Sequence, residues 1–534
     1  MNGTFRQSMS WLHTWAGLVL GWLLYFMFIT GAIGYFYAEV DRWMKPEAPL
    51  EITIDQSQLL RLAENRLAQV AADATYWSVD FPTERYKDFV IWWKVPVNKA
   101  IGTDWAWKDE KLAPNTGQPI VVRNTGGGEF LYRMHFSLHY IPTLVAYWVT
   151  SLAAMFMLLA LITGIIIHKK IFKDFFTFRP GKKQRSWLDM HNVLSVLPLP
   201  FYLMITYSGL ILLMFTTMPG GISASYGVGE ENKSHFFKEA FNSNGRETSG
   251  LAAKGINMSS VLVTIEKRLG KNQLRYIEIE NRGDNHAYIR LARQGFNGLS
   301  EKEELTYDGI TGELIADSLQ GISAARQFYD LMNVLHEGKF SNTLLRCLYF
   351  ISSLMGAGMI ATGVILWAGK RRSKAPKGGA NKGLLLVEYT NSGVIIGLPI
   401  AIAAYFWANR LIPVSFEARV DWEVHVLFIT WTLMLLYPVL ISGKRSLKQV
   451  WLDQLLLAAV FFSLIPLLNF LTTDKHLVTN FYQQDWGLLG FDLSMLMFGL
   501  GFAFAAKKVH RNNTAKPSNI GSIESQFETK ALKT

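Results

Sequence analysis

The chain is poor in cysteine and in charge. A single cysteine, Cys347, among 534 residues excludes an intrachain disulfide and any zinc or iron–sulfur centre built on thiolates. Any metal chemistry must therefore rest on histidine, carboxylates or a bound cofactor. Charged residues make up 18% of the sequence and apolar or aromatic residues 50%. An average soluble domain is about 25% charged, so the deficit points to a membrane protein with sizeable water-exposed parts. Phosphate-binding P-loops and Gly-x-Ser-x-Gly elements are missing. Gly356-Ala-Gly-Met-Ile-Ala361 resembles a dinucleotide fingerprint, but it lies within an apolar run, where helix packing explains it. Acidic residues are also in deficit, 42 Asp and Glu against 53 Lys and Arg. The basic residues flank apolar runs, which marks membrane topology and argues against nucleic acid as a partner.

A helix needs roughly 20 apolar residues to cross the hydrocarbon of a bilayer. Such runs occur near 15–37, 140–167, 192–217, 344–368, 384–408, 422–442, 450–471 and 486–506. The first is too long for a cleavable signal and reads as a retained anchor. Segment 168–186 holds seven basic residues and one acid, and 369–382 holds six and none. With Lys444, Arg445, Lys448, Lys507, Lys508 and Arg511 on the same side, both termini are expected in the cytoplasm. The long connections 41–134 and 218–335 then lie outside, which in a Gram-negative bacterium would be the periplasm. Their balances, 12 basic to 13 acidic and 13 to 15, are near neutral.

The expected architecture is a polytopic α-helical membrane protein of about eight spans with two small α+β external domains and an internal repeat. Its parts are a first span (1–40), external domain 1 (41–134), spans two and three with a basic loop (135–217), external domain 2 (218–335), span four (336–370), a second basic loop (371–383), a four-span extension (384–510) and a disordered cytoplasmic tail (511–534). An amphipathic run from Gln58 to Val70 reads as helix, and alternation from Leu274 to Leu291 as strand. Trp92-Trp93 and Trp105-Ala-Trp107 read first as core and second as the lining of a binding face.

The repeat carries the chemistry. The first copy has Trp11-Leu-His13, Gly31, Pro114-Asn-Thr-Gly117, Leu138-His139 and Thr163-Gly164; the second has Trp187-Leu-Asp-Met-His191, Gly209, Asp308-Gly-Ile-Thr-Gly312, Leu335-His336 and Thr362-Gly363. Related halves pack about a pseudo-two-fold axis, so equivalent residues can face one another. That pairs His13 with His191 at one end and His139 with His336 at the other. Imidazoles from facing helices suit bis-His haem, whose iron takes one axial nitrogen from each side. Gly17 and Ser195, one turn beyond the inner histidines, would let a flat macrocycle lie close. In this alignment His168 maps onto Trp367 and His135 onto Met332; His135 is an alternative ligand or a substrate-facing group. His425, beside Arg419 and Glu423, is a candidate outside the repeat.

The Trp11-Leu-His-Thr-Trp-Ala-Gly17 string, the two Thr-Gly turns, the Leu-His pairs and His168-Lys-Lys-Ile-Phe-Lys-Asp-Phe-Phe-Thr-Phe-Arg179 resemble the PepSY-associated transmembrane proteins over roughly residues 5–370. This bacterial inner-membrane family includes ferric-siderophore reductases of the ferrioxamine-reductase type. The resemblance implies PepSY-like external domains over a core carrying haem b. It implies ligand candidates His13, His139, His191 and His336, with His168 and His135 as near neighbours. The expected activity is electron transfer from a cytoplasmic or quinone-linked donor, through two bis-His haems, to a ferric siderophore whose Fe(III) is reduced for uptake. Two alternatives remain: a membrane-anchored regulatory or binding protein without haem, and a transporter whose histidines relay protons.

Overall fold

The computed structural model describes residues 4–49, 55–83, 85–96, 105–168, 179, 181–182, 184–241, 245–293, 303–318, 320, 323–374 and 381–514. Most of the first basic loop, part of the second and the tail beyond 514 lie outside the described residues. The chain divides into two compact units, Met1–Gly369 and Lys370–Thr534. Among the described residues seven helices are long and apolar enough to cross a membrane, and one bent pair makes an eighth candidate.

The first unit begins α1 (Phe5–Val19), α2 (Gly21–Gly34), α3 (Tyr37–Met44), α4 (Gln56–Val70), β1 (Trp77–Asp80), β2 (Val90–Pro96), β3 (Trp105–Lys111), α5 (Gly127–Ser137) and α6 (Thr143–Ile167). The second copy follows with α7 (Gln184–Val196), α8 (Leu199–Thr217), α9 (Gly220–Tyr226), α10 (Glu230–Phe241), α11 (Met258–Leu269), β4 (Leu274–Glu280), β5 (Tyr288–Arg293), β6 (Glu304–Asp308), β7 (Leu314–Asp317), α12 (Ala324–Glu337) and α13 (Thr343–Arg372).

Two of the expected spans are broken. The run near 15–37 bends by 62° between α1 and α2. Composition changes at the bend: α1 carries Arg6, Gln7, Ser10, His13 and Thr14, whereas α2 is apolar almost throughout. Gly21, at the start of α2, lets α13 come close, since a Cβ there would lie 3.0 Å from Val364. The run near 192–217 becomes two helices because Pro198 and Pro200 bring no N–H; the first turn of a helix accepts proline most readily, and α8 begins at Leu199. In both copies a short polar helix carrying a histidine thus precedes the apolar span.

The two α+β units are joined rather than separate. Their strands form one antiparallel sheet in the order β3-β2-β1-β4-β5-β6-β7, with Val79 opposite Ile277 where the halves meet. The expected amphipathic helix is α4, and with α11 it covers one face through Leu60, Leu67, Val261 and Ile265 against Val79, Ile91, Ile277 and Ile289. Fully burying such a side chain stabilises by about 1.5–3 kcal/mol. Gln56 pins the halves: its amide donates to Leu274 O (2.6 Å) and accepts from Leu274 N (2.9 Å). Trp93 belongs to this core, whereas Trp105 and Trp107 on edge strand β3 are exposed. Core was the first reading for that pair; β3 has a partner on one side only, so its rings stay at the surface.

The second unit contains α14 (Lys382–Ile395), α15 (Gly397–Leu411), α16 (Arg419–Leu440), α17 (Leu447–Thr472), the short α18 (Leu477–Tyr482) and α19 (Trp486–Thr514). Helix α19 carries the chain four residues into the segment expected to be a disordered tail. Helices α14 and α15 form one central span, with Ile400, Ala401, Ala403 and Tyr405 fully buried. Its buried polar side chains bond mainly to one another: Arg419 Nη2 lies 2.9 Å from Glu423 Oε1, Asn409 donates to Glu423 (2.9 Å), Arg410 to Asn469 Oδ1 (3.0 Å), and Asn469 to Asp492 (3.0 Å).

Candidate functional site

Histidines on four different helices meet the spans of the first unit in one recurring geometry. On α1, His13 places Nδ1 2.9 Å from Ala160 O and 3.3 Å from Thr163 Oγ1 of α6. On α7, His191 does the same with Met359 O (2.9 Å) and Thr362 Oγ1 (3.2 Å) of α13. On α5, His135 Nδ1 lies 2.7 Å from Met27 O of α2. On α12, His336 Nδ1 lies 3.0 Å from Ser208 Oγ of α8.

These partners fix the tautomer. A carbonyl oxygen only accepts, so Nδ1 of His13, His191 and His135 carries the proton. Thr163, Thr362 and Ser208 spend their hydroxyl protons on carbonyls of their own helices. They are therefore acceptors too, and His336 takes the same form. Among the described residues none of the four Nε2 atoms makes a hydrogen bond, so each ring presents an imidazole lone pair. That is the arrangement of a metal-ligating histidine, whose second nitrogen donates to a carbonyl or similar acceptor, which orients the ring and raises its basicity.

A glycine seats each ring. A Cβ on Gly31 would lie 2.8 Å from His135 Nδ1, and one on Gly209 2.9 Å from His336 Cε1; on Gly164 and Gly363 it would lie 3.4 Å from His13 and 3.3 Å from His191. The repeat landmarks Gly31, Gly209, Thr163-Gly164 and Thr362-Gly363 are thus the surfaces against which the imidazoles rest.

The outer pair differs from the expected one. His135 and His336 face one another with ring centroids 6.1 Å apart and planes inclined by 41°. His139, expected opposite His336, lies beyond the end of α5 with its ring edge-on to Phe130 (5.4 Å) and Tyr140 (4.2 Å). The cause is Leu138, whose φ of 45° turns the chain out of the helix. The second copy makes this turn later, at Gly338 with φ 59°, so its Leu335-His336 is still helical. Matching Leu-His to Leu-His therefore misaligned the copies: the counterpart of His135 is His336, not Met332. His168 closes α6, with Asn192 Nδ2 3.3 Å from its Nε2. It stands beside His191 without duplicating the pattern of the other four. His425 packs edge-on to Trp422, 5.7 Å away, in the second unit.

His135 and His336 line a cavity of about 310 Å³ together with Met27, Gly31, Ile205 and Gly209, a volume at the lower end of small-molecule sites. No cluster of three or more His, Cys, Asp or Glu able to hold a bare metal ion occurs among the described residues. The histidines come in twos, which suits a macrocycle that brings its own equatorial nitrogens. The spacing suits it as well. Metal–imidazole bonds of about 2.0–2.1 Å on either side of one ion, plus about 1 Å from each nitrogen to its ring centre, reach roughly 6 Å. The donor set, the glycine cradles and the apolar cavity fit a haem ligated by His135 and His336, and the matching seats of His13 and His191 fit a second.

No curated protein matches the chain. A family model described as the PepSY-associated TM region matches residues 10–370, the stretch that contains both copies of the repeat, the four seated histidines and the shared sheet. The chain belongs to the PepSY-associated transmembrane family.

Proposed function

We propose that this protein is a membrane-bound haem oxidoreductase that carries electrons across the bilayer and reduces a ferric chelate, a siderophore, on the side of the sheet. The observation that carries the reading is the His135–His336 pair, two imidazoles 6.1 Å apart with each Nδ1 hydrogen-bonded and each Nε2 open. Haem bound there would supply one-electron chemistry between Fe(III) and Fe(II).

The chain's own residues do the rest. His135 and His336 would hold one haem at one end of α6, and His13 and His191 a second at the other. Helix α6 has 25 residues, and at about 1.5 Å per residue it spans roughly 37 Å, so no single group serves both faces. Met27 O, Ala160 O, Met359 O and Ser208 Oγ hold the imidazoles in the ligating tautomer and make them more electron-rich. Leu24, Met27, Phe28 and Ile205 give the outer pair a largely apolar surround on the helix side. With the basic loops inside, the inner pair meets a cytoplasmic or quinone-linked donor and the outer pair lies toward the periplasm. Reduction to Fe(II), a softer and less charged ion, loosens the grip of hard oxygen ligands and releases the iron.

The test is an optical spectrum of the purified protein, air-oxidised and dithionite-reduced. Sharp b-type bands that weaken in His13→Ala, His135→Ala, His191→Ala and His336→Ala are expected, followed by reoxidation on adding ferric siderophores. A colourless protein would leave the anchored regulatory reading in its place.

A further inference from the structure

The cavity that holds His135 and His336 also receives a residue from the sheet domain. Arg85 sits in the connection between β1 and β2, yet it lines the same cavity. Its Nε is buried and meets no hydrogen-bond acceptor among the described residues, and no carboxylate among them forms an ion pair with it. Its surroundings are aromatic: Cζ lies 5.8 Å from the Tyr86 ring, Tyr86 shares a 2.9 Å hydrogen bond with Tyr37 Oη, and Tyr37 stacks on Tyr132 at 5.2 Å. Both Tyr37 and Tyr132 line the cavity too. The acid on the cavity wall, Glu337, is held by Lys339 at 3.1 Å.

Arg85 as a whole is half-buried, and Nε is the part enclosed; a guanidinium cannot shed its proton to escape that enclosure, and an enclosed charged donor without an acceptor is unfavourable. Such a group in a finished site is expected to meet an anion. Carboxylate is the natural complement, because the planar fork of Arg matches its two oxygens. An occupant that is flat and apolar, binds two imidazoles through a metal and carries carboxylates at its edge would satisfy every wall of this cavity.

We infer that Arg85 is the carboxylate-binding residue of the His135–His336 cavity, tying an acidic group of the haem to the sheet domain. The inference rests on the haem reading and adds to it a residue outside the membrane helices. It makes Arg85 a positioning residue whose charge also favours the reduced form of the outer haem, since removing a nearby cation leaves the more positive ferric form less opposed.

The experiment uses the purified full chain with Arg85→Gln and Arg85→Lys, following haem bands through an equilibrium redox titration and measuring haem transfer to apomyoglobin. Arg85→Gln is expected to lower the midpoint potential of one of the two haem components and to release haem at least about tenfold faster, the equivalent of one lost charge-assisted hydrogen bond. Arg85→Lys keeps the charge, so its potential should stay near that of the parent, with release between the two. Equal potentials and release rates in Arg85→Gln and the parent would overturn the inference while leaving the haem reading intact. So would an Arg85→Lys shift as large as that of Arg85→Gln. A parent protein without haem bands overturns both. Unchanged potentials and release, combined with slower reoxidation by anionic than by neutral ferric chelates, would assign the guanidinium to the incoming substrate and overturn its assignment to the cofactor.

Discussion

Both units bury polar side chains in apolar helices, and they finish them differently. In the second, the partners are one another: Arg419 with Glu423 and Asn409, Arg410 with Asn469, Asn469 with Asp492. In the first, each of four histidines spends one nitrogen on a neighbouring helix and keeps the other open. A polar residue within a span is therefore not itself the sign of a site. The sign is what remains open to a cavity after its local partners have been counted. A network that closes on itself holds helices together, whereas one that leaves a lone pair pointing into a cavity is prepared for something else.

The largest effect expected from this contrast is spectroscopic. His135→Ala or His336→Ala should remove roughly half of the reduced-minus-oxidised haem signal, because bis-His ligation needs both nitrogens. His139→Ala should leave the signal near that of the parent. Bands that survive in His135→Ala but vanish in His139→Ala would restore the pairing expected from the sequence. Next in size, Arg419→Ala should destabilise the second unit by about 3–5 kcal/mol by stranding Glu423, seen as an earlier thermal transition with haem absorbance per molecule unchanged. The double variant Arg419→Met/Glu423→Leu should recover most of that loss. If Arg419→Ala bleached the haem bands, the network would be more than a clamp.

The glycine seats offer a finer test. Gly31→Ala forces a Cβ to 2.8 Å from His135 and should cost about 1–3 kcal/mol while altering the spectrum of the outer site. At Gly17 a Cβ meets nothing within 4 Å, and Gly17→Ala should change stability by no more than about 0.5 kcal/mol, both read by thermal denaturation. Asp284 should give the smallest effect. Backbone N–H groups of His286, Ser249 and Gly250 and the Ser249 hydroxyl hold its pKa down to about 2, below an unfolded value of about 3.9. Its contribution is then complete above about pH 4 and is lost as pH falls through about 2. Thermal unfolding followed at pH 5 and at pH 2.5 should show a difference that shrinks in Asp284→Asn.

Much of this architecture was legible in the residues. Apolar runs located spans five to eight almost to their ends, and the periodicity of Gln58–Val70 announced α4. The repeat singled out His13, His191 and His336 together with the four glycines. It failed at His139 because a dipeptide match ignores where a helix stops, and nothing about Leu138 signals a φ of 45°. The glycines themselves held the missing clue, since Gly31 has to face a ring just as Gly209 does. Sequence could not join the two sheet-forming segments either. The pairing of Val79 with Ile277 depends on which hydrophobic edge strand is nearest in space, and two membrane spans separate them along the chain.

That joint between β1 and β4 has a consequence for synthesis. The first half of the sheet emerges with β1 as an open edge, carrying Trp77 and Val79, and it stays open until α6 and α8 have been made and residues 274–280 follow. A chain cut after residue 217 would keep that edge, and an unpaired apolar strand recruits strands from other copies. The duplicated halves are thus bound to mature as one piece, with the second acting as a built-in chaperone for the first.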